Sequence, residues 1–324
     1  MKRRGCSFVA ALLLVGAIGL GWFAASWWFF SNLDEERAFV VPSGSSLTAV
    51  AQKLEDEGAI DSADAFLLRA KLLGSSDPIK AGEFLLPAGA SPATILDTFQ
   101  HGEVIRRFVT VPEGLPSIMV WERLMAEPLL TGTVPVPAEG SVLPESYDFE
   151  RGESRAAVLG RMQQAMKRTI EELWAKRRAG ACPVNTPQEA VTLAAIVEKE
   201  TGVSAERRTV ASVYCNRLRI GMKLDADPTV IYPITKGKPL GRRIRRSELN
   251  AITGYNTYRE PGLPKGPITN PGRASIAAVL DPAQTDYLYF VAKGGGGHVF
   301  SRTLAEHNAN VAKWFAIRRA RGEM

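Results

Sequence analysis

The stretch NTPQEAVTLAAIVEKETG, residues 185–202, reads as one helix with both of its ends encoded. Thr186 stands at the N-cap and Pro187 at the first helical position, where a missing N–H does no harm. Glu189, three residues after the cap, completes a capping box. Gly202 supplies a C-terminal stop. The residues between are apolar on nearly every side, which predicts a helix enclosed on most of its circumference. Two carboxylates nevertheless fall in its last turn. At about 100° per residue, Glu198 shares a face with Val191, Ala194 and Ala195, while Glu200 points about 200° away, toward Leu193 and Ile196. They cannot share one site.

Burial disfavours a charged carboxylate, raises its pKa and keeps it protonated, as a general acid near neutral pH requires. Ala194 and Ala195 are small and leave room for a groove over Glu198, whereas Glu200 is expected to meet an arginine or solvent. The plainer alternative is that both glutamates pair with Arg207, Arg208 or Arg217.

The chain around this helix has 324 residues, a net charge of +6, 45% hydrophobic and 23% charged residues, which is globular composition long enough for two domains. At the N-terminus MKRRGC precedes SFVAALLLVGAIGLGWFAASWWFF, with no charge from Cys6 to Phe30. Phe8 to Phe30 is 23 residues, or about 34 Å of helix at ~1.5 Å per residue, enough to span a bilayer. Lys2, Arg3 and Arg4 before it and Asp34, Glu35 and Glu36 after it put the N-terminus in the cytoplasm. Trp27, Trp28, Phe29 and Phe30 are expected to form an aromatic belt at the outer interface. The run is longer than a signal-peptide core and ends in bulky aromatics, so a retained anchor is favoured over a cleaved leader. The rest of the chain is then extracytoplasmic. That location leaves nucleic acid out as a partner, and the basic run KGKPLGRRIRR, with Lys236, Lys238, Arg242, Arg243, Arg245 and Arg246, reads as a solvated loop or a contact for wall carboxylates or lipid headgroups.

From Phe39 to about Pro87 the signals run strand, capped helix, capped helix, strand. Ser45 or Ser46 opens the first helix, Asp61 or Ser62 the second, Gly58 and Gly74 close them, and Gly82 begins the return strand. That order resembles a LysM module, which binds the N-acetylglucosamine backbone of wall glycans. A further short helix follows in ASPATILDTFQHG, and a long amphipathic one runs from about Ser154 to Arg178. The fold class is α+β: a transmembrane helix (8–30) after a short cytoplasmic N-terminus (1–7), a LysM-like glycan-binding subdomain (38–100), and a mixed α/β catalytic domain (106–324). Cys182 and Cys215 are free thiols or one bridge. His101, His298 and His307 lack metal-ligand spacing, and GGGGH (294–298) reads as a hairpin turn.

Beyond the opening helix come ASVYCNRL, DPTVIY, YNTY (255–258), GLPKGPITNPG and YLYFVAKGGGGHVF with a later HN. These blocks, in this order across about residues 190–312, resemble the MltG (YceG-like) family of endolytic murein transglycosylases, and LPESYDF resembles a family segment near the cleft. The resemblance implies a membrane-anchored lyase that cuts the β-1,4 bond between N-acetylmuramic acid and N-acetylglucosamine in nascent strands, leaves 1,6-anhydro ends, and thereby terminates strand elongation. One glutamate serves as acid and then base, and no cofactor is needed. By that resemblance Glu198, first in the EKE string, is the acid/base, with Glu200 in a supporting position; Asp227, before Pro228, is expected to cap the segment after it or to orient the site. Asn256 and Tyr258, with Tyr255 and Thr257, are cleft residues; aromatic faces and amide or hydroxyl groups suit sugar rings. Peptidoglycan strands and the membrane are the partners implied, with penicillin-binding synthases as candidates. Two other readings stay open: a non-catalytic glycan-binding scaffold, which an ion-paired Glu198 favours, and a hydrolytic muramidase, which needs Asp225, Asp227 or Glu145 as second carboxylate.

Overall fold

The computed structural model describes residues 3–323. The chain divides into two compact units, residues 3–107 with 149–152 and residues 108–148 with 153–323. The first holds α1 (Arg3–Trp28), β1 (Arg37–Val41), α2 (Leu47–Asp56), α3 (Ala63–Leu73), β2 (Gly82–Leu86) and α4 (Pro92–His101). β3 (Arg106–Thr110) and β4 (Ser146–Glu150) form a two-stranded sheet. The second unit continues with α5 (Ser117–Ala126), α6 (Arg155–Ala175), α7 (Pro187–Glu200), α8 (Arg207–Arg219), α9 (Asp227–Thr235), α10 (Arg246–Asn250), α11 (Arg273–Leu280), β5 (Tyr289–Ala292), β6 (His298–Ser301) and α12 (Leu304–Ala320). The expected mixture of helix and strand is present, but strands among the described residues are confined to three two-stranded sheets. The second unit is therefore mainly helical.

In the first unit the caps fall where the serines are. Ser46, Ser62 and Ser91 accept the N–H of Ala49, Ala65 and Thr94. β1 and β2 pair antiparallel with Phe39 opposite Phe84, and Phe99 of α4 packs on both rings at 5.3 and 5.4 Å. Over Ala11–Trp28, α1 is long and apolar enough to cross a membrane by length and composition. The expected aromatic belt is corrected at one residue: Trp27 is buried against Phe66 in this unit's core, while Trp28, Phe29 and Phe30 are exposed.

The core of the second unit is built around α7. Ala190 through Val197 are all buried, and α6, α8, α9 and α11 pack against this helix. Thr186 accepts the Glu189 N–H at 3.1 Å, while the Glu189 carboxylate takes the N–H of Asn185, one residue before the cap. The helix ends at Glu200, with Thr201 extended, two residues before the glycine expected to stop it. Cys182, in the loop before α7, is disulfide-bonded to Cys215 on α8, 33 residues away.

That bridge closes a loop of intermediate length, so Cys182→Ala with Cys215→Ala is expected to lower the unfolding free energy by about 4 kcal/mol. The readout is a lower urea midpoint, with a slope that rises as the unbridged unfolded chain exposes more surface. Equal midpoints would show that the bridge adds nothing.

Candidate functional site

The two glutamates of the last turn part as their helical positions require, but their surroundings are the reverse of what the small alanine face suggested. Glu198 is sealed: its side chain is 5% exposed, lies 3.6 Å from the Arg207 guanidinium, and accepts the Gly272 N–H at 2.8 Å. Gly272 is the N-cap of α11, so this carboxylate sits where the helix dipole favours negative charge. Arg207 also reaches Glu113 at 3.3 Å. Glu198 thus ties α8, α11 and the 113–114 loop together. The ion-pair alternative holds for this residue.

Glu200 borders a cavity of about 420 Å³ shared with Tyr214, Arg217, Asp225, Asp227, Tyr258, Tyr289 and His307. Burial raises its pKa from the ordinary 4.5 to about 7. The Tyr214 hydroxyl donates to it and the Arg217 charge lies nearby, both favouring the carboxylate, while Asp227 opposes it. Tyr214 and Arg217 lie three apart on α8 and so face the same way. The Arg217 guanidinium is fixed by backbone oxygens, Nε to Leu288 and Nη1 to Leu224, each at 2.7 Å, with Asp225 at 3.8 Å. Asp225 is in the left-handed region at φ 50°, a strained conformation for a side-chain-bearing residue. Its pKa is raised by burial, against the pull of Arg217 and Lys223.

Asp227 was expected to cap the segment after it. It is instead the first residue of α9 and makes no capping bond. Its Oδ1 accepts the Tyr258 hydroxyl at 2.7 Å. Burial and that carboxylate push the Tyr258 pKa up, so the phenol keeps its proton. The His307 ring stacks on Tyr289 at 5.2 Å, and burial and Arg217 lower its pKa, leaving it neutral at pH 7. The cavity therefore gathers one acid with a raised pKa, two further carboxylates, one fixed cation, three tyrosines and a histidine. Among the described residues no cluster of three or more His, Cys, Asp or Glu is arranged to hold a metal.

Of the YNTY block only Tyr258 reaches this cavity. Asn256 is 1% exposed; its Nδ2 donates to the carbonyls of Leu249 and Ala251 and its Oδ1 accepts the Tyr258 N–H. Thr257, equally buried, holds the Ala226 N–H and the Thr229 hydroxyl. Tyr255 packs on Tyr232 at 4.8 Å under the Lys265 ammonium. Asn256 and Thr257 have no free groups for a sugar; they set the backbone that presents Asp225, Asp227 and Tyr258. LPESYDF forms β4 and its Tyr147 donates to the Leu143 carbonyl, away from the Glu200 cavity. Arg217, one of the arginines expected beside the glutamates, is found near Glu200, whereas sequence reasoning missed Tyr214, Tyr289 and His307. The spacing of Tyr214 three residues before Arg217 was the available signal for the first; the others arrive from about 90 or more residues downstream of the helix. A larger cavity of about 730 Å³, beside α6 and the start of α7, has a mainly apolar lining, and its Glu139 is occupied by the Ser117 N–H and Tyr232.

The family model described as the YceG-like family matches residues 39–313. A Bacillus subtilis (strain 168) protein named endolytic murein transglycosylase is 30% identical over 309 residues, covering 85% of this chain and 84% of that protein. A protein of the same name from Streptococcus pneumoniae serotype 2 (strain D39 / NCTC 7466) is 26% identical; the match takes in 84% of this chain and 57% of that longer protein. The crystal structure of a YceG-like protein from Listeria monocytogenes superposes with a TM-score of 0.54 at 28% identity, over 85% of this chain and 98% of that one.

The raised pKa of Glu200 has a consequence for stability. Below pH 4.5 the group is protonated whether the chain is folded or not. Between 4.5 and about 7 only the folded chain holds the proton, so stability falls as pH rises through this window, and the penalty is complete above 7. Glu200→Gln removes it and is expected to raise stability at pH 8 by roughly 2–3 kcal/mol, the gain vanishing near pH 4. Urea midpoints at both pH values measure this, and a variant no more stable than wild type at pH 8 contradicts it. Glu198→Gln keeps an acceptor for Gly272 but weakens the pairing of Arg207, and is expected to lose about 1–3 kcal/mol in the same assay.

Proposed function

The chain belongs to the YceG-like family, and on that premise we propose that it is an endolytic murein transglycosylase whose acid/base is Glu200. The observation that carries the assignment is the contrast within one helical turn: Glu198 is ion-paired and withdrawn from solvent, while Glu200, its pKa raised to about 7, lies at the wall of a cavity. An ion-paired Glu198 alone favours the scaffold reading; Glu200 restores the enzyme.

In the first step the Glu200 carboxylic acid gives its proton to the oxygen of the bond between N-acetylmuramic acid and N-acetylglucosamine, and the carbon–oxygen bond breaks. Glu200 is now a carboxylate, which the Tyr214 hydroxyl and the Arg217 charge favour. In the second step it takes the proton of the muramic 6-hydroxyl as that oxygen bonds to the anomeric carbon, closing a 1,6-anhydro ring. The proton lost first is regained and no water is consumed. Asp225 and Asp227 lie in the same cavity, where negative charge favours an oxocarbenium-like transition state. Their presence also keeps the hydrolytic reading testable, since either could activate water.

In this reading α1 is a single-pass anchor with its N-terminus in the cytoplasm, and the rest of the chain faces the wall. The basic N-terminus and the Cys182–Cys215 bridge, which suits an oxidising compartment, support that placement. The β1-α2-α3-β2 arrangement of the first unit supports a LysM-like role in holding glycan, and cutting of nascent strands would end their elongation. Wall-synthesis enzymes of the penicillin-binding class are the partners such a role calls for.

Incubation of the protein with uncrosslinked glycan strands, followed by mass spectrometry of the products, tests the assignment. Wild type is expected to produce anhydro-muramic ends and Glu200→Gln to be slower by about 10²–10⁴-fold. Glu198→Gln, corrected for its folded fraction, is expected to stay within about tenfold of wild type, because it leaves the acid in place. Reducing ends would establish the hydrolase. An inactive Glu198→Gln beside an active Glu200→Gln would return the role to Glu198.

A further inference from the structure

Consecutive residues at the end of α7 border different cavities. Glu200 lines the acid cavity; Lys199 lines a second of about 450 Å³. α9 repeats the division, with Asp227 at the first cavity and Pro228 and Ile231 at the second. A polymer lying across the ends of these two helices would meet both.

The second cavity has a different chemistry. Leu115, Met119, Ile231 and Leu240 give it apolar walls, and its only charged lining groups are Lys199 and Lys238. Lys238 shares its charge with Glu122, while the Lys199 ammonium has only the Gly114 carbonyl, at 3.4 Å. No aromatic side chain and no carboxylate lines it. A sugar ring is held by aromatic faces and by paired donors and acceptors, and this cavity offers neither. It fits a ligand with short apolar groups and free carboxylates. Murein carries such a ligand on its muramic residues: a short peptide with alanine methyls and carboxylate ends.

We infer that this cavity binds the stem peptide of a muramic residue beside the bond being cut, with Lys199 as its carboxylate contact. The inference rests on the transglycosylase reading above and deepens it: the substrate is the peptide-bearing strand, not the bare glycan. The apolar walls take the alanine methyls, and their low polarity strengthens the contact between Lys199 and the carboxylate.

The test compares uncrosslinked strands carrying their peptides with the same strands stripped by an amidase, using the full-length protein in detergent. Wild type is expected to cut the peptide-bearing strands with at least about tenfold higher kcat/KM. Lys199→Gln should bring that ratio close to one, mainly through KM, and Lys199→Arg should largely keep it. Strand binding to the Glu200→Gln protein, with and without Lys199→Gln, gives the same comparison without turnover. Equal cutting of both strands by wild type overturns the inference, as does a parallel loss on both strands in Lys199→Gln, which would mark a sugar subsite. Failure of the parent reading looks different: Glu200→Gln would then cut either strand as wild type does.

Discussion

Helix α7 is enclosed by α6, α8, α9 and α11, and this enclosure constrains everything near its C-terminal end. Ala190 through Val197 are all buried, and in the last turn Lys199 is exposed while the Glu198 and Glu200 side chains are withdrawn from solvent. Each carboxylate of the last turn must therefore be neutralised by a partner or hold its proton. Glu198 takes the first course, against Arg207 and the start of α11. Glu200 takes the second, at the wall of a cavity. One turn of helix thus yields a structural clamp and an acid from the same residue type.

The clamp and the acid depend on the same neighbours. α8 supplies Arg207 to the one and Tyr214 and Arg217 to the other, and Cys215, between the last two, is bonded to the loop before α7. The buried pairs Asn256–Tyr258 and Thr257–Thr229 fix the backbone that brings Asp225 and Asp227 up to the cavity. The strained φ of Asp225 is held in place by that packing. The side chains that touch the cavity are few, and those that position them are buried.

Much of this was legible in the sequence, and what was not has a definite cause. The caps at Ser46, Ser62, Ser91 and Thr186 are local, and the sequence signals place three of the helices they start to within a residue or two. The angular separation of Glu198 and Glu200 is a property of the helix and needed no fold. Which of the two faces is open was not readable, because both are apolar and the difference is made by distant residues: Arg207 and Gly272 close one side, while Tyr258, Tyr289 and His307 line the other. The YNTY block misled for a related reason. Amide and hydroxyl groups that suit a sugar suit a buried turn equally well, and Asn256 and Thr257 are used for the turn. The aromatic run after the apolar helix was likewise ambiguous between a membrane interface and a protein core, and Trp27 belongs to the core.

The proposed chemistry turns on the protonation of one group, which can be observed without substrate. With ¹³C-carboxyl-labelled glutamate, NMR titration of the protein and of its Glu200→Gln variant assigns the Glu200 resonance by difference. The account predicts a midpoint near pH 7 for that resonance. A Glu200 that titrates near the ordinary 4.5 would contradict it and leave the chain without its proposed proton donor.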